Sequence, residues 1–299
     1  MNVKQPANNS FFSLSDLFTR IRRKTDEYMR LITDPVCCFF GKKVALDYVE
    51  TNVADHCNLK CKGCAHFANI VPGEVFPDLE QYRRDISRMS ELFRNIKKIR
   101  LMGGEPLLNK QLPEFISVTR HTFPKADIRV VTNGLLLTSS SPRLLAAIKD
   151  NRVKIDISLY PLMYERQIYM AAFLNENDIE YMFSESTGFT KSITLKGDGF
   201  STRKEVKKHC WRKCNSLNNA TLCGCYLPHS IKHFNDYFEE SIPPGDLIDI
   251  YDKELNGYKI KKRLEKHMDI CGYCTMHEEV AWSKSADRPA LNDWCVGWD

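Results

Sequence analysis

Between Lys43 and about residue 186 the chain switches regularly between short apolar stretches and segments whose apolar residues recur every three or four positions. "VALDYVETNV", "KKIRLMG", "DIRVVTNG", "VKIDISLYP" and "IEYMFSES" read as strands, and helices are expected between them over 78–93, 112–123, 142–148 and 162–174. The first of these helices shows the period most clearly, with Leu79, Tyr82, Ile86, Met89 and Phe93 along one face. Strands that alternate with helices through short links build a parallel sheet, because each connection crosses one face of the sheet with a fixed hand. The expected fold is therefore α/β, a partial (β/α)6 TIM-type barrel, with its chemistry at the carboxyl ends of the strands. The unusual residues fall at those ends: Cys57 to Cys64, Gly103 to Pro106, Thr132 to Gly134 and Ser158 to Pro161.

The first strand runs into "ADHCNLKCKGCAHF", residues 54–67, which sets Cys57, Cys61 and Cys64 in a C-x3-C-x2-C arrangement with His66 two residues on. Three thiolates leave two readings. Either His66 closes a four-ligand structural metal site, or one coordination position stays open for chemistry. Thiolates are soft ligands that suit zinc and iron–sulfur centres alike. The chain has twelve cysteines, yet its first forty residues carry no signal-peptide pattern. A reduced, cytoplasmic compartment is expected, with metal or iron–sulfur binding in place of a disulfide framework. No apolar run is long enough to span a bilayer. A net charge of +5 suits an anionic small substrate and falls short of the concentrated basic face of a nucleic-acid binder.

About forty residues beyond the cysteines, "LMGGEP" places Gly103, Gly104, Glu105 and Pro106 at the end of the next strand, where two glycines permit a close backbone approach to a ligand. Together the cysteine loop and this motif resemble the radical S-adenosylmethionine (radical SAM) enzymes over roughly residues 44–200. The resemblance implies that Cys57, Cys61 and Cys64 hold three irons of a 4Fe–4S cluster, with the fourth iron left for S-adenosylmethionine. Gly103, Gly104 and Glu105 would then meet the methionine amino group, while Thr132, Asn133 and Ser158 would serve its carboxylate and ribose. Many members carry an aromatic residue just before the third cysteine, where this chain has Gly63, so Phe67 is the expected cover for the cluster or adenine. "LKGDGF", residues 195–200, is a candidate for the adenine contact.

After about residue 200 the alternation fades and cysteines return at Cys210, Cys214, Cys223, Cys225, Cys271, Cys274 and Cys295. The expected organisation is an N-terminal helical extension (1–43), a radical SAM partial barrel (44–200) and a small Cys-rich module (201–299). A C-x2-C pair joined by two thiolates from an earlier hairpin makes a four-ligand set for zinc or a closed cluster. The region is similar to the twitch or SPASM-like modules of the radical SAM family, which implies that Cys214, Cys225, Cys271 and Cys274 hold an auxiliary 4Fe–4S cluster. Cys210 and Cys223 stand as alternates, and Cys37, Cys38 and Cys295 read as buried hydrophobes. In the extension, apolar residues at Leu14, Leu17, Phe18, Ile21, Tyr28 and Ile32 predict a helix packed on the domain and stopped by Asp34-Pro35.

Asp156, Tyr160 and Glu185 lie along or just past strand ends and are candidates to move a proton, with helix caps or ion-pair partners as the alternative for the acids. His56, His66, His229 and His277 sit near the cysteines as expected hydrogen-bond donors rather than ligands. The leading expectation is an oxidoreductase-type radical SAM enzyme. It would act on a small polar substrate in carbohydrate or secondary-metabolite biosynthesis, with a flavodoxin or ferredoxin as electron donor. The alternatives are a peptide-modifying radical SAM maturase and a noncatalytic zinc-stabilised binding module.

Overall fold

The computed structural model describes residues 14–210 and 214–297, without the side chains of 14–24, 26, 27, 207, 276 and 277. The expected apolar stripe from Leu14 to Ile21 and the role of His277 lie outside the described residues. Helix α1 spans Leu14–Phe39 and runs through Pro35. The expected stop at Asp34-Pro35 does not occur, because a proline removes only its own backbone donor and Phe40 N still reaches Val36 O at 3.1 Å. Tyr28 and Ile32 are exposed, so their stripe is not the packed face. Ion pairs of Arg30 with Asp47 and of Asp34 with Lys261 pin the helix instead.

The barrel begins with β1 (Val44–Ala54) and α2 (Leu79–Leu92). Asp78 starts α2 by accepting the Gln81 backbone N–H at 2.6 Å, which satisfies one of the free donors of the first turn. Then come β2 (Phe93–Gly103), α3 (Leu112–Thr122), β3 (Asp127–Thr132), α4 (Pro142–Asp150), β4 (Lys154–Leu159), α5 (Gln167–Glu176) and β5 (Tyr181–Glu185). The strands β1 to β5 pair in parallel in chain order. Among the described residues five parallel strands follow in chain order, and the sixth parallel pairing, of Ser216 with Glu50 of β1, comes from later in the chain. The next strand, β6 (Gly188–Ile193), leaves the sheet to pair antiparallel with β10 (Cys274–Ala281).

The remaining elements are α6 (Arg203–His209), β7 (Ser216–Asn218), β8 (Thr221–Cys223), α7 (Leu227–Phe238), β9 (Ile248–Asp249) and α8 (Gly257–Leu264). Strand β7 joins the free side of β1, so the large sheet runs β5-β4-β3-β2-β1-β7-β8-β9. Strands β7 to β9 thus extend the sheet that β1 to β5 form.

Alternation sorts the sheet into two faces. Val49, Val53, Ile99, Leu101, Ile128, Val130, Ile155 and Ile157 pack with Ile86, Phe115, Ile148 and Leu174 of the helices. Each such side chain contributes about 1.5–3 kcal/mol on burial. The opposite face carries Tyr48, Glu50, Asn52, Arg100, Arg129, Asp156 and Ser158. A second core gathers around Phe67, Phe234 and Trp294 and includes Cys271 and Cys274. Among the described residues no helix is long and apolar enough to cross a membrane.

Candidate active site: a cysteine loop at the strand ends

At the end of β2 the two glycines permit a backbone approach, but the partner is the chain itself. A Cβ on Gly103 would stand 2.2 Å from Ala54 O, and one on Gly104 would stand 2.0 Å from His56 O. Gly103 also has a φ of +124°, a region that side chains disfavour. Gly104 N donates to Ala54 O at 2.7 Å and Glu105 N to His56 O at 3.0 Å. The motif therefore locks the start of the cysteine loop onto the end of β2.

Glu105 is fully buried and its carboxylate is already committed. It accepts from Thr132 Oγ1 at 2.6 Å, Asn133 N at 2.9 Å and Leu107 N at 3.0 Å. Burial raises its pKa, and these three donors work against that rise. Pro106 opens the short 3-10 turn that presents Leu107 N. Asn133 extends the link to the cysteines, donating from Nδ2 to Asn58 Oδ1 at 2.9 Å and toward Cys57 Sγ at 3.6 Å. Two strand ends and the cysteine loop thus form one hydrogen-bonded unit.

The three cysteines lie close enough to disfavour one another's ionisation. Burial first, then Glu105, and then the neighbouring Cys64 and Cys61 raise the Cys57 thiol, while burial and Cys64 push Cys61 up to about 12. Every sulfur receives an N–H donor. Leu59 N reaches Cys57 Sγ at 3.4 Å, Trp282 Nε1 reaches Cys61 Sγ at 3.2 Å, and backbone groups of His66, Phe67 and Ala68 reach Cys64. Tyr160 stands beside the same three thiols, with its phenol raised by burial first and by their charge second. Its ring lies 5.9 Å from Phe189 and 6.1 Å from Trp282, forming an aromatic wall.

Residues 51–160, which contain the whole of this arrangement except Phe189 and Trp282, match the model of the Radical SAM superfamily. Over these residues the chain is similar to that superfamily. Curated relatives include the GTP 3',8-cyclase of Aliarcobacter butzleri (strain RM4018), 34% identical over 129 residues, which cover 42% of this chain and 38% of that protein. The GTP 3',8-cyclase of Nautilia profundicola (strain ATCC BAA-1463 / DSM 18972 / AmH) is 33% identical over 149 residues, covering 47% of this chain and 41% of that protein. The chain spans well under half the length of these relatives. Among solved structures, BtrN in complex with AdoMet and 2-DOIA has a TM-score of 0.47 at 16% identity, over 77% of this chain and 93% of that chain.

The cofactors of the radical SAM superfamily are a 4Fe–4S cluster and S-adenosylmethionine, and the loop fits them chemically. Three thiols on one loop, within electrostatic reach and each facing an N–H donor, suit the thiolate ligands of a negatively charged cluster. Among the described residues no three His, Cys, Asp or Glu side chains converge on one point as a single ion demands. What the loop offers is donor chemistry and proximity rather than a cage for one ion. His66 stacks on Tyr226 with ring centroids 4.6 Å apart.

Several expected residues stand elsewhere than the sequence implied. Phe67 is completely buried, 5.4 Å from Phe234 and 5.9 Å from Trp294, so it anchors the second core and does not cover the loop. Glu185 shares the strand face of Tyr181 and Phe183, which pack toward the helices, and so points away from Asp156 and Ser158. Asp156 is held by Arg100 at 2.9 Å and Arg129 at 2.8 Å, the ion-pair alternative. "LKGDGF" lies against the second cysteine turn, where a Cβ on Gly199 would stand 2.4 Å from Cys274 O. The raised phenol of Tyr160 stays protonated, so it can donate a hydrogen bond but not accept a proton.

Around the second set, Cys214 hydrogen-bonds Cys225, and Cys271 feels both Cys225 and Cys210. Cys210 is thus placed with the set, and Cys274 is buried in the same core. Cys223 turns away, toward Cys225 O at 2.8 Å and Ser216 O at 3.7 Å. His229 holds this hairpin, with its ring nitrogens 2.9 Å from Thr221 Oγ1 and 3.0 Å from Ser216 Oγ. Burial, followed by Lys232, lowers its pKa to about 4. A histidine kept neutral gives stability that is fully present above its unfolded value of about 6.5 and is lost as the pH falls toward 4. Unfolding in urea at pH 7 and pH 5 is expected to show a loss of roughly 2 kcal/mol that His229→Gln removes. An equal loss in the variant would assign the acid sensitivity to other groups.

Trp282, Trp294 and Asp293 also contact the cysteine loop and were not expected there. No local motif marks them, because they meet the loop only through the return of the C-terminal segment.

Proposed function

We propose that the chain is an enzyme that reductively cleaves S-adenosylmethionine and uses the resulting 5'-deoxyadenosyl radical to take hydrogen from a small polar substrate. The observation that carries this reading is the cysteine loop itself: three close thiols, each facing an N–H, fixed to the neighbouring strand end by Gly104 and Glu105. Cys57, Cys61 and Cys64 would hold the cluster, which when bound supplies an open iron position and the electron that breaks the carbon–sulfur bond. That electron comes from a flavodoxin- or ferredoxin-type donor. Cleavage leaves methionine, and the adenosyl radical becomes 5'-deoxyadenosine as the substrate carbon loses its hydrogen atom.

The chain's own part is to place and to shield. Glu105, Thr132 and Asn133 hold the strand ends, and Tyr160 with Phe189 and Trp282 keeps water from the loop. The methionine end would meet the backbone of Gly103 and Gly104, since the Glu105 carboxylate is taken up internally. Ser158 and Asn133 remain candidates for the carboxylate and ribose. The polar face below, with Tyr48, Glu50, Asn52, Arg100 and Arg129, supports a polar substrate.

The test is anaerobic reconstitution with iron and sulfide, then measurement of 5'-deoxyadenosine under a strong reductant. A protein that holds zinc, shows no iron–sulfur absorbance and forms no 5'-deoxyadenosine would overturn the reading in favour of a zinc-stabilised binding module. Cys214, Cys225, Cys271 and Cys274, with Cys210 as a neighbour, would hold an auxiliary cluster in a C-terminal module over 201–299, giving about eight irons per chain. Cys271→Ala is expected to leave about four irons and measurable cleavage of S-adenosylmethionine, because its set lies outside the first loop. Complete loss of cleavage would place Cys271 in the first site. A second reading, cyclisation of a purine nucleotide, is supported by the matched relatives named GTP 3',8-cyclase. Consumption of GTP in step with 5'-deoxyadenosine would favour it over an oxidoreductase-type reaction.

A further inference from the structure

The cysteine loop is not finished by its own strand. The segment after β10 returns to it, and Cys61 forms an antiparallel bridge with Lys284. Lys62 N donates to Ser283 O at 2.9 Å, and Ser285 N donates to Lys60 O at 2.7 Å. Trp294 Nε1 donates to Cys64 O at 2.9 Å, and Lys62 pairs with Asp293 at 3.4 Å. Gly63 makes room for this segment: at its φ of +69°, a Cβ would stand 2.9 Å from Asp293 O. Phe189 closes the other side, with its Cβ at 3.6 Å from the same position.

One contact in this clasp reaches a sulfur. Trp282 Nε1 lies 3.2 Å from Cys61 Sγ, and its ring is held at 6.1 Å from Tyr160. Cys61 is nearly fully buried, so water does not compete with the indole for the sulfur. Indole has one N–H and no acceptor, so this contact has a single polarity. Reducing a cluster adds negative charge that spreads onto its thiolate sulfurs, and a donor at the sulfur stabilises the more negative form. Such hydrogen bonds are among the factors that set iron–sulfur potentials.

We propose that Trp282, supplied by the C-terminal segment, is a positioning residue that raises the reduction potential of the cluster held by Cys61. The proposal rests on the reading of the first loop as an iron–sulfur site. It also gives the C-terminal region a task apart from its own cysteines: β10 starts at Cys274 and delivers Trp282 directly after Ala281. The donor acts on the side of electron entry, making the one-electron reduction of the first site easier for a physiological donor.

The test is a redox titration of the reconstituted full chain, followed by electron paramagnetic resonance. The signal that S-adenosylmethionine perturbs identifies the first cluster. Trp282→Phe keeps an aromatic ring beside Tyr160 and removes the donor; Trp282→His keeps an N–H. In the Phe variant the ratio of reduced to oxidised cluster at a fixed potential is expected to fall about tenfold, equivalent to about 59 mV for a one-electron couple. The His variant is expected to recover at least half of that change. An unchanged potential in the Phe variant, or an equal fall in both, would overturn the proposal. Loss of iron from both variants would also overturn it, since Trp282 would then be packing alone. Wild-type protein without any signal sensitive to S-adenosylmethionine would instead sink the underlying reading of the site.

Discussion

Cys61→Ala is expected to reduce 5'-deoxyadenosine formation to the uncatalysed background while leaving the protein folded. Cys61 is the middle thiol of the loop, nearly fully buried, bridged to Lys284 and in contact with Trp282. Removing one sulfur leaves two ligands in the first loop, too few to fix a cluster with only one iron open. The fold itself draws little from that atom. The backbone bridge at Cys61 does not need the side chain, and a small buried cysteine replaced by alanine costs about 1 kcal/mol. The measurement is 5'-deoxyadenosine formed under reductant, together with thermal unfolding of the same preparation. Cleavage at the wild-type rate would remove the assignment. A collapsed unfolding transition would show that the thiol is structural.

Much of this site could be read before the fold was known because its key residues are local in sequence. The C-x3-C-x2-C spacing and "GGEP" each sit on one strand end, and parallel pairing of successive strands brings such ends together. The alternation that placed Asp156 and Ser158 on one face is likewise a property of a single strand. What could not be read is long-range. β7 pairs with β1 across about 170 residues, and no pattern in "SLN" announces it. The same holds for the clasp from Trp282 to Trp294, whose contacts depend on β10 finding β6. Phe67 was misplaced for a related reason. Nearness to Cys64 in sequence pointed to the cluster, but a left-handed backbone at φ 56° turns its ring into the second core. The glycines of "GGEP" were correctly seen as close-approach positions, yet what they admit is the carbonyls of Ala54 and His56.

That last point carries the other large effect, Gly104→Ala. The methyl group would meet His56 O at 2.0 Å and Asp55 O at 2.9 Å, both backbone atoms that no rotamer change can move. Relief requires the segment from Ala54 to His56 to retreat, which breaks the bonds from Gly104 N to Ala54 O and from Glu105 N to His56 O. Overpacking costs about 1–3 kcal/mol and each lost bond about 1 kcal/mol, so a loss of roughly 3–5 kcal/mol is expected. The functional loss should exceed what stability alone dictates. Cys57 follows His56 directly and is tied through Asn133 to Glu105, so moving the loop start pulls one thiol from the other two. Iron content after reconstitution, measured well below the variant's unfolding temperature, is therefore expected to fall toward that of Cys61→Ala. Wild-type iron in a protein that has lost stability would mean that the loop holds its thiols independently of β2. The strand-end lock would then serve the fold and not the site.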